Sequence, residues 1–527
     1  MSRLSISLVS AVLAVSALSA SCTKKSTTSV KPDKDTFVFR IHSEPPNVDP
    51  AKGVDNVSID IMNNVNEGLM QFDNDMKAIP ALAESHVVSA DGLNYTFKLR
   101  PGVVWSDGVP LKAQHFVDAF ERMLNPKTAA EYAYFLYDID GAEAYNQGKV
   151  KDFSQVGAKA ADDLTLKVKL ARPAGYWLSL TAAPVMFPQR LDVINKAGER
   201  WTEPEHFVGV GPYVIKQWEH DKRLVLERNE KYWGPKPAIG RAVALIVEEA
   251  TTAISLFESG QLDLVRRLPA HDIERFKSTP MYGQRPYLRG YYYAFNSSKK
   301  PFTESKVRQA LGHAIDRNEL PKILKGGQVP ATSWIPQGML AHNPNIGLKF
   351  DPELAKKLLS EAGFPGGKGF PRVKMVYDVR EDNKVVAEAL QQMWKKVLGL
   401  EFEIQTMEWK VYLEALRTDA PPVFRLGWGA DFPDPHNFMD LFLSKSGNNN
   451  TRWGDKRYDE LISKASGERD TGKRVELYNQ AQKILLEDSA AIVPLFNETT
   501  TYLLQPRVKS FHVDGMANIF IKNFRLE

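Results

Sequence analysis

The chain has 527 residues, of which 43% are hydrophobic and 25% are charged, and its formal net charge is +4. This length is enough for two or three domains with large cores. Basic and acidic residues are interspersed without a basic block, which argues against nucleic acid as a partner.

The first 22 residues predict export and lipidation. "MSRLSISLVSAVLAVSALSASC" places Arg3 before an apolar stretch from Leu4 to Leu18 that is too short and too serine-rich for a membrane span. We predict a signal peptide over residues 1–21. The letters "SASC" resemble a bacterial lipobox, in which Cys22 becomes the lipidated first residue. The alternative is an incidental thiol in a discarded peptide.

The segment that follows predicts a tether. Residues 22–36, the lipidated cysteine and "TKKSTTSVKPDKD", are polar and lack apolar periodicity, which is typical of a flexible linker. Cys22 is the only cysteine, so an internal disulfide or a cysteine-based catalytic, metal or redox site is excluded. We therefore expect an exported body in the periplasm or at the cell surface, anchored to a membrane through Cys22.

Strand and helix patterns alternate along the remaining chain. "NYTFKL" (94–99) and "LTLKVKL" (164–170) alternate with period two, as half-buried strands do. "DPELAKKLLSEAGFPGG" (351–367) predicts a helix that is capped by Asp351 and begins with proline. These patterns indicate an α/β protein with more than one core.

A βαβ unit is predicted in the second half. The strand pattern "VKMVYDV" (373–379) precedes an amphipathic helix that is closed by Gly399. A second strand pattern, "LEFEIQTM" (400–407), follows directly. A strand, a helix and a strand within about 35 residues are typical of a parallel crossover unit.

The segment "GWGADFPDPHNF" (427–438) carries two carboxylates with different explanations. Asp434 precedes Pro435 and a short apolar run, so it is predicted to cap a helix. Asp431 lies upstream of that cap, where a turn could use it but nothing requires it. From the residues alone, Asp431 is interpreted as a turn residue.

Catalytic and metal-binding motifs are absent from the sequence. It contains no HExxH, no GxSxG and no P-loop, and its ten histidines do not have metal-ligand spacing. We therefore predict no catalytic residue, no metal site and no cofactor. A secreted hydrolase with dispersed catalytic residues is a remote alternative.

Several longer stretches of the chain have a distinctive sequence. They are "SEPPNVDP" (43–50), "NEGLM" (66–70), "DGLNYTFKLRPGVVWSDGVPLKAQHFVDAFERMLNP" (91–126), "GPYVIKQWEHDKRLVLERNEKYWG" (211–234), "FTESKVRQALGHAIDRNEL" (302–320) and "GWGADFPDPHNF", with "MEWKVYLEALR" and "SGNNNTRWGDKRYDELI". They resemble successive landmarks of one family, the family 5 extracellular solute-binding proteins of bacterial ABC importers. The likeness is greatest to the peptide-binding proteins of oligopeptide permeases, and it runs from about residue 37 to the C-terminus.

This resemblance implies a two-lobed periplasmic-binding-protein fold of the class II type, with an inserted accessory α/β domain and a two-segment hinge. The implied domains are lobe I from residues 37–70, 191–285 and 499–527, an accessory domain over 71–190, and lobe II over 286–498.

The resemblance also implies the function. A lipid-anchored, non-enzymatic receptor would capture short peptides in a closing cleft and deliver them to an ABC permease and its ATPase subunits. A monomer is expected. One alternative keeps the fold with another ligand, such as a dipeptide, a nickel complex, haem or an opine. Another is a protein that presents peptides to a sensory receptor.

Site residues follow from the same resemblance. Asp431 matches the aspartate that receives the α-ammonium group of a bound peptide. Tyr132 matches a tyrosine of the site, although Tyr134 is close enough to compete for the assignment. Trp428 is expected to form a pocket wall, with core packing as its alternative. Arg425 matches an arginine used for peptide carboxylates, with an ion pair as its alternative.

Other matches depart from the family pattern. A family arginine falls on Leu416, with Arg417 adjacent, and a family histidine for short-peptide C-termini falls on Asn383. A family glutamate falls on Val54, with Asp55 adjacent. Asn383, Asp55 and Arg417 are therefore candidate ligand-binding residues, and recognition of the peptide C-terminus is expected to differ from that of the family.

Overall fold

A computed structural model describes residues 33–527. The predicted signal peptide and the predicted lipidation of Cys22 therefore lie outside the described residues. Among residues 33–527, no helix is both long enough and apolar enough to cross a membrane.

Within residues 33–527, the strands fall into one large sheet and three smaller ones. The strands of the first half are β1 (Thr36–Ile41), β2 (Met70–Phe72), β3 (Ala78–Pro80), β4 (Ala83–Val88), β5 (Asn94–Leu99), β6 (Ala158–Asp162), β7 (Thr165–Lys169), β8 (Tyr213–Glu219), β9 (Arg223–Arg228), β10 (Arg241–Ile246) and β11 (Leu264–Arg266). Those of the second half are β12 (Tyr282–Phe295), β13 (Val329–Pro330), β14 (Val373–Asp378), β15 (Phe402–Met407), β16 (Val423–Gly429), β17 (Ile492–Leu504), β18 (Val508–Lys509) and β19 (Arg525–Leu526).

The α-helices lie between these strands. They are α1 (Asn56–Val65), α2 (Gln114–Leu124), α3 (Ala142–Asn146), α4 (Trp177–Leu180), α5 (Leu191–Ala197), α6 (Ala250–Glu258), α7 (Ala270–Phe276), α8 (Ser305–His313), α9 (Glu319–Leu324), α10 (Pro352–Glu361), α11 (Glu381–Leu398), α12 (Trp409–Asp419), α13 (His436–Met439), α14 (Lys456–Gly467) and α15 (Thr471–Lys483).

The large sheet has two parallel regions joined by antiparallel strands. Its order is β15-β14-β16-β12-β17-β11-β1-β10-β9-β8, and β13 pairs with β17. Strand β14 is parallel to β15 and β16, and β1 is parallel to β10 and β11. The long strands β12 and β17 pair antiparallel between these regions, with a register shift between Pro286 and Gly290. The predicted hinge crossings near residues 285 and 498 fall within these two strands.

Separate cores support the two regions. One core includes Phe37, Phe39 and Ile61 beside β1 and α1. Two others lie on opposite faces of β12, because alternate residues of this strand point to opposite sides. Tyr291, Tyr293 and Phe295 enter one of these cores, and Tyr292 and Ala294 enter the other. The antiparallel sheet β4-β5-β7-β6 has a further core that it shares with α2, which includes Phe97, Phe116 and Leu166.

The local predictions in this fold are confirmed. Strands β5 and β7 coincide with the two period-two segments, and Asp351 Oδ1 accepts a hydrogen bond of 3.0 Å from the backbone N–H of Leu354 at the start of α10. Strands β14 and β15, which precede and follow α11 in the chain, pair in parallel. This helix ends at Leu398 and is followed by Gly399, whose φ of 70° lies in the left-handed region that favours glycine.

Candidate ligand-binding cleft

A cleft is formed where segments far apart in the sequence converge. The space in and around the cleft, counted together with open solvent at its mouth, is about 1000 Å³. One wall comes from α1 and the residues after it, another from residues 180–187, and a third from the C-terminal segment 516–522. Tyr132, Phe135, Ala430 and Asp431 complete the lining. The cleft therefore combines apolar walls with a few polar groups, as ligand sites usually do.

Asp431 contributes a carboxylate that has no cation beside it. Its Oδ2 accepts a hydrogen bond of 3.2 Å from Asn437 Nδ2, and its backbone N–H donates to Asn437 Oδ1 at 2.8 Å. No salt bridge joins Asp431 to any other residue of the described chain. Burial raises the pKa of Asp431 to about 6, although the hydrogen bond from Asn437 opposes this shift.

A second carboxylate makes the surroundings of Asp431 more acidic. Burial, followed by the charges of Asp431 and Asp138, raises the pKa of Asp440 to about 7. Like charges that are partly removed from water disfavour each other's ionised form. The site therefore favours any ligand that brings a positive charge to Asp431.

Tyr132 lies in the same cleft as Asp431. Its hydroxyl donates a hydrogen bond of 3.2 Å to the backbone carbonyl of Val54, and burial and the charge of Asp431 raise its pKa. Tyr134 meets the ring of Tyr132 edge to face at 6.0 Å but does not belong to the cleft lining. The charge of Asp431 raises the pKa of both tyrosines, so both lie near its carboxylate, but of the two only Tyr132 lines the cleft.

Trp428 is linked to Asp431 but does not line the cleft. Its Nε1 donates a hydrogen bond of 3.2 Å to Asn437 Oδ1, the same oxygen that accepts from the backbone of Asp431. Its ring packs against one of the two cores beside β12. The sequence did not predict that Asn437 holds Asp431, although both residues lie in the segment 427–438.

Arg425 and Asn383 belong to a buried network outside the cleft lining. Arg425 Nη1 donates to Asp378 Oδ1 at 3.0 Å, and its guanidinium lies 4.3 Å from the ring centre of Tyr291. Asn383 Nδ2 donates to the same Asp378 oxygen at 2.9 Å, and Tyr291 donates its hydroxyl to Asn383 Oδ1 at 3.0 Å. In this conformation Arg425 is held in an ion pair, and its role toward a ligand stays a prediction.

Asp55 and Arg417 have local partners. Asp55 caps α1, since its Oδ1 accepts hydrogen bonds of 3.0 Å from the backbone of Val57 and Ser58. Arg417 is exposed on α12 and pairs with Glu414 at 2.6 Å. Neither side chain lines the cleft in this conformation, so their ligand-binding roles also stay predictions.

A further polar group of the cleft was not predicted. Lys522 Nζ donates to Glu67 Oε1 at 2.6 Å, to Gln71 Oε1 at 2.7 Å and to the Tyr232 hydroxyl at 3.2 Å. Glu67 lies in the landmark "NEGLM", but its partner is 455 residues away in the sequence. Because Glu67 and Lys522 neutralise each other, Asp431 is left as the unpaired charge of the described lining.

Metal ligands are not grouped in this region. Within residues 33–527, no three or more His, Cys, Asp or Glu side chains lie together in a way that could hold a metal ion.

The two parallel regions, their separate cores and the cleft define a two-lobed α/β solute-binding fold. Residues 77–450 match the model of the bacterial extracellular solute-binding proteins, family 5. The chain is 31% identical to the oligopeptide-binding protein OppA of Bacillus subtilis over 93% of this chain and 92% of the relative. It belongs to the family 5 extracellular solute-binding proteins.

Comparison with solved structures leads to the same family. The unliganded open form of the periplasmic murein tripeptide-binding protein MppA is 30% identical and superimposes with a TM-score of 0.83, covering 94% of this chain and 98% of that one. The Haemophilus influenzae OppA complex with the peptide RPPGFSPFR, also 30% identical, superimposes with a TM-score of 0.76 over 94% and 99% of the two chains.

Proposed function

We propose that this protein captures short peptides with a free amino terminus in the cleft beside Asp431. The observation that carries the proposal is the unpaired carboxylate of Asp431 in an otherwise neutralised lining. Relatives named as oligopeptide-binding proteins, and a related structure with a bound peptide, support a peptide as the ligand.

The chemistry of the amino terminus fits this carboxylate. An α-ammonium group has a pKa of about 7.7–8.0, so it carries a positive charge near neutral pH. Placing that charge in a cleft away from water requires an opposite charge beside it. Asp431 supplies the opposite charge, and the ammonium group removes the unfavourable burial of the carboxylate.

The rest of the peptide is held without strong dependence on its sequence. The lining contains the amide side chains of Asn56, Asn63, Asn66 and Asn518, which bind backbone groups directly or through water. Apolar walls accept side chains of different sizes. Tyr132 contacts the peptide near Asp431, whereas contacts of Trp428, Arg425, Asn383, Asp55 and Arg417 remain predictions for the closed form.

The proposal includes closure and delivery. Lobe I (37–70, 191–285 and 499–527) and lobe II (286–498) close on the peptide by bending within β12 and β17, and the accessory domain spans 71–190. A lipid on Cys22 anchors the receptor to a membrane. The loaded monomer delivers its peptide to an ABC permease, whose ATPase subunits perform the only catalysis.

Isothermal titration calorimetry with paired peptides tests the anchor. Alanine peptides of two to five residues are compared with their N-acetylated twins, in the wild type and in Asp431→Asn. Removing one partner of a buried ion pair costs about 3–5 kcal/mol, so acetylation lowers affinity roughly a hundredfold to several thousandfold. In Asp431→Asn, free-amine and acetylated peptides bind with similar, weak affinity.

The control is Asp75→Asn, which removes an exposed carboxylate outside the cleft and should leave both affinities unchanged. Equal binding of free and acetylated peptides to the wild type would contradict the anchor assignment. Native mass spectrometry of the purified protein provides a second check, because co-purified ligands should have the masses of mixed short peptides.

A further inference from the structure

A second, cationic pocket lies beside the cleft. Its lining includes Arg40, Arg266 and Arg267, together with His42 and the first turns of α1. Arg40 is near the carboxyl end of β1, and Arg266 ends β11, which pairs in parallel with β1. Ligands of open α/β sheets bind outside the carboxyl ends of parallel strands, which is where this pocket lies.

Two of its three guanidinium groups have no carboxylate partner. Arg266 pairs with Asp60 and also donates to the carbonyl of Ala517. Arg40 donates only to backbone carbonyls, those of Val247 at 2.7 Å and Glu248 at 2.6 Å.

The third guanidinium belongs to Arg267, which is exposed. Its side chain has no hydrogen bond or salt bridge within residues 33–527. The charge of the exposed Glu249 favours the protonated form of Arg40 and opposes the lowering of its pKa by burial. Glu249 forms no salt bridge with Arg40 in the described chain. The pocket therefore has a net positive charge.

The pKa of His42 is lowered, which agrees with a positive potential in this pocket. Burial and then the charges of Arg267, Arg40 and Arg266 lower its pKa, and the charge of Asp60 only partly opposes them. A histidine whose protonated form is disfavoured by three neighbouring guanidinium groups indicates a site that favours anions.

The cationic pocket adjoins the cleft along α1. Asn56 lines both spaces, while Ile59 and Asn63 face the cleft and Val57 and Asp60 face the cationic pocket. Asn56 is therefore the side chain at which the two spaces adjoin.

Other cations near the cleft are already neutralised. Lys522 is held by Glu67 at 2.6 Å, and Arg425 by Asp378 at 3.0 Å. Arg289, next to the register shift in β12, pairs with Glu498 at 3.1 Å. Arg40 and Arg267, by contrast, have no carboxylate partner within the described chain.

We propose that the pocket of Arg40, His42, Arg266 and Arg267 binds a carboxylate of the peptide, supplied by its C-terminus or by an acidic side chain. This inference rests on the proposed function and adds a substrate class to that function. The class is peptides that have a free amino terminus and a carboxylate further along the chain. The planar guanidinium groups donate paired hydrogen bonds that suit a carboxylate.

Calorimetry with two peptide series tests this assignment. The first compares free-acid alanine peptides of two to five residues with their C-terminal amides. The second places glutamate or glutamine at each position of amidated alanine peptides. We expect at least one acidic peptide to bind about tenfold or more tightly than its neutral twin, because hydrogen bonds between charged groups are the strong ones. The series that shows the preference identifies the source of the carboxylate.

Arg267→Asn tests the pocket itself. Asparagine tolerates the φ of 61° at this position, so the substitution removes the charge without straining the backbone. The acid preference should fall below about threefold while the affinity for neutral peptides is retained. Lys216→Gln, which removes an exposed positive charge on β8 outside both pockets, should keep the preference.

The outcomes separate this inference from the proposed function. Free-amine peptides that bind with no acid preference in either series overturn the anion site and leave the Asp431 anchor intact. A preference that persists unchanged in both Arg267→Asn and Arg40→Gln also overturns it. Absence of binding by every free-amine peptide contradicts the proposed function and this inference with it.

Discussion

The carboxylate of Asp431 makes the folded, ligand-free protein less stable. Its carboxylate is hydrogen-bonded by Asn437 but has no cation beside it, and its pKa is raised to about 6. A carboxyl group with a raised pKa makes the folded state less stable wherever it must ionise. Such a cost is typical of a binding residue, because the ligand provides the missing partner.

Asp431→Asn should therefore stabilise the empty protein. In the unfolded chain an aspartate has a pKa of about 3.9, so the ionisation cost is fully present above pH 6 and disappears below about pH 4. We expect the free energy of unfolding at pH 8 to rise by about 1–2 kcal/mol, allowing for partial solvent exposure. Urea unfolding without peptide, at pH 8, 5 and 4, measures the difference.

The pH dependence distinguishes this effect from a general change in packing. The gain should shrink as the pH falls and vanish near pH 4, whereas Asp75→Asn should change stability by less than about 0.5 kcal/mol throughout. Destabilisation of Asp431→Asn at pH 8 would show that its carboxylate is favourably placed without a ligand.

At the scale of elements, a buried ion pair fixes the turn that presents Asp431. Asp434 Oδ1 accepts from the backbone N–H of His436 at 2.9 Å, but α13 begins one residue later than predicted, with Pro435 rather than Asp434 at its N-cap position. Both oxygens of Asp434 also accept from Arg474 of α15 at 2.7 Å. The ring of Tyr176 stacks on His436 at 4.4 Å, so the turn is held from two sides.

Arg474→Met should destabilise the protein by about 3–5 kcal/mol, because it leaves the carboxylate of Asp434 buried and unpaired. The change is measured as the free energy of unfolding in urea. Arg457→Met is the matched control, since its exposed pair with Asp455 is screened by water and should contribute much less to stability. Equal losses in the two variants would contradict the structural role of the Asp434–Arg474 pair.

The predictions that succeeded depend on neighbours in the sequence. Period-two alternation in β5 and β7, the Asp351 cap of α10 and Gly399 after α11 are set by residues within a few positions. The partner of Asp434 is 40 residues away, and that of Arg425 is 47 residues away. No local pattern encodes such contacts, so the resemblance named Arg425 without predicting that Asp378 holds it.

At the scale of the whole molecule, the proposed anchor predicts that the charge of Asp431 links ligand binding to closure. In the described conformation its carboxylate still has some contact with water, and Asp440 beside it shares the acidic surroundings. Closing the cleft without a ligand would remove more water from both carboxylates, which is unfavourable. We expect a peptide ammonium group to reverse this effect, so that a free-amine peptide binds the closed form better and shifts the population toward it.

Förster transfer between dyes on the two lobes should detect this shift. Because Cys22 is the only native cysteine, dyes can be placed at Lys216→Cys on β8 and Lys396→Cys on α11 after Cys22→Ser. Saturating free-amine peptide should change the transfer efficiency toward a single closed state, whereas the N-acetylated twin should not. Adding Asp431→Asn should remove the response even where residual binding is measurable, since the neutral side chain lacks the charge that opposes empty closure. If the labelled protein that retains Asp431 closes equally with both peptides, or closes without any peptide, the coupling between this carboxylate and the hinge is contradicted.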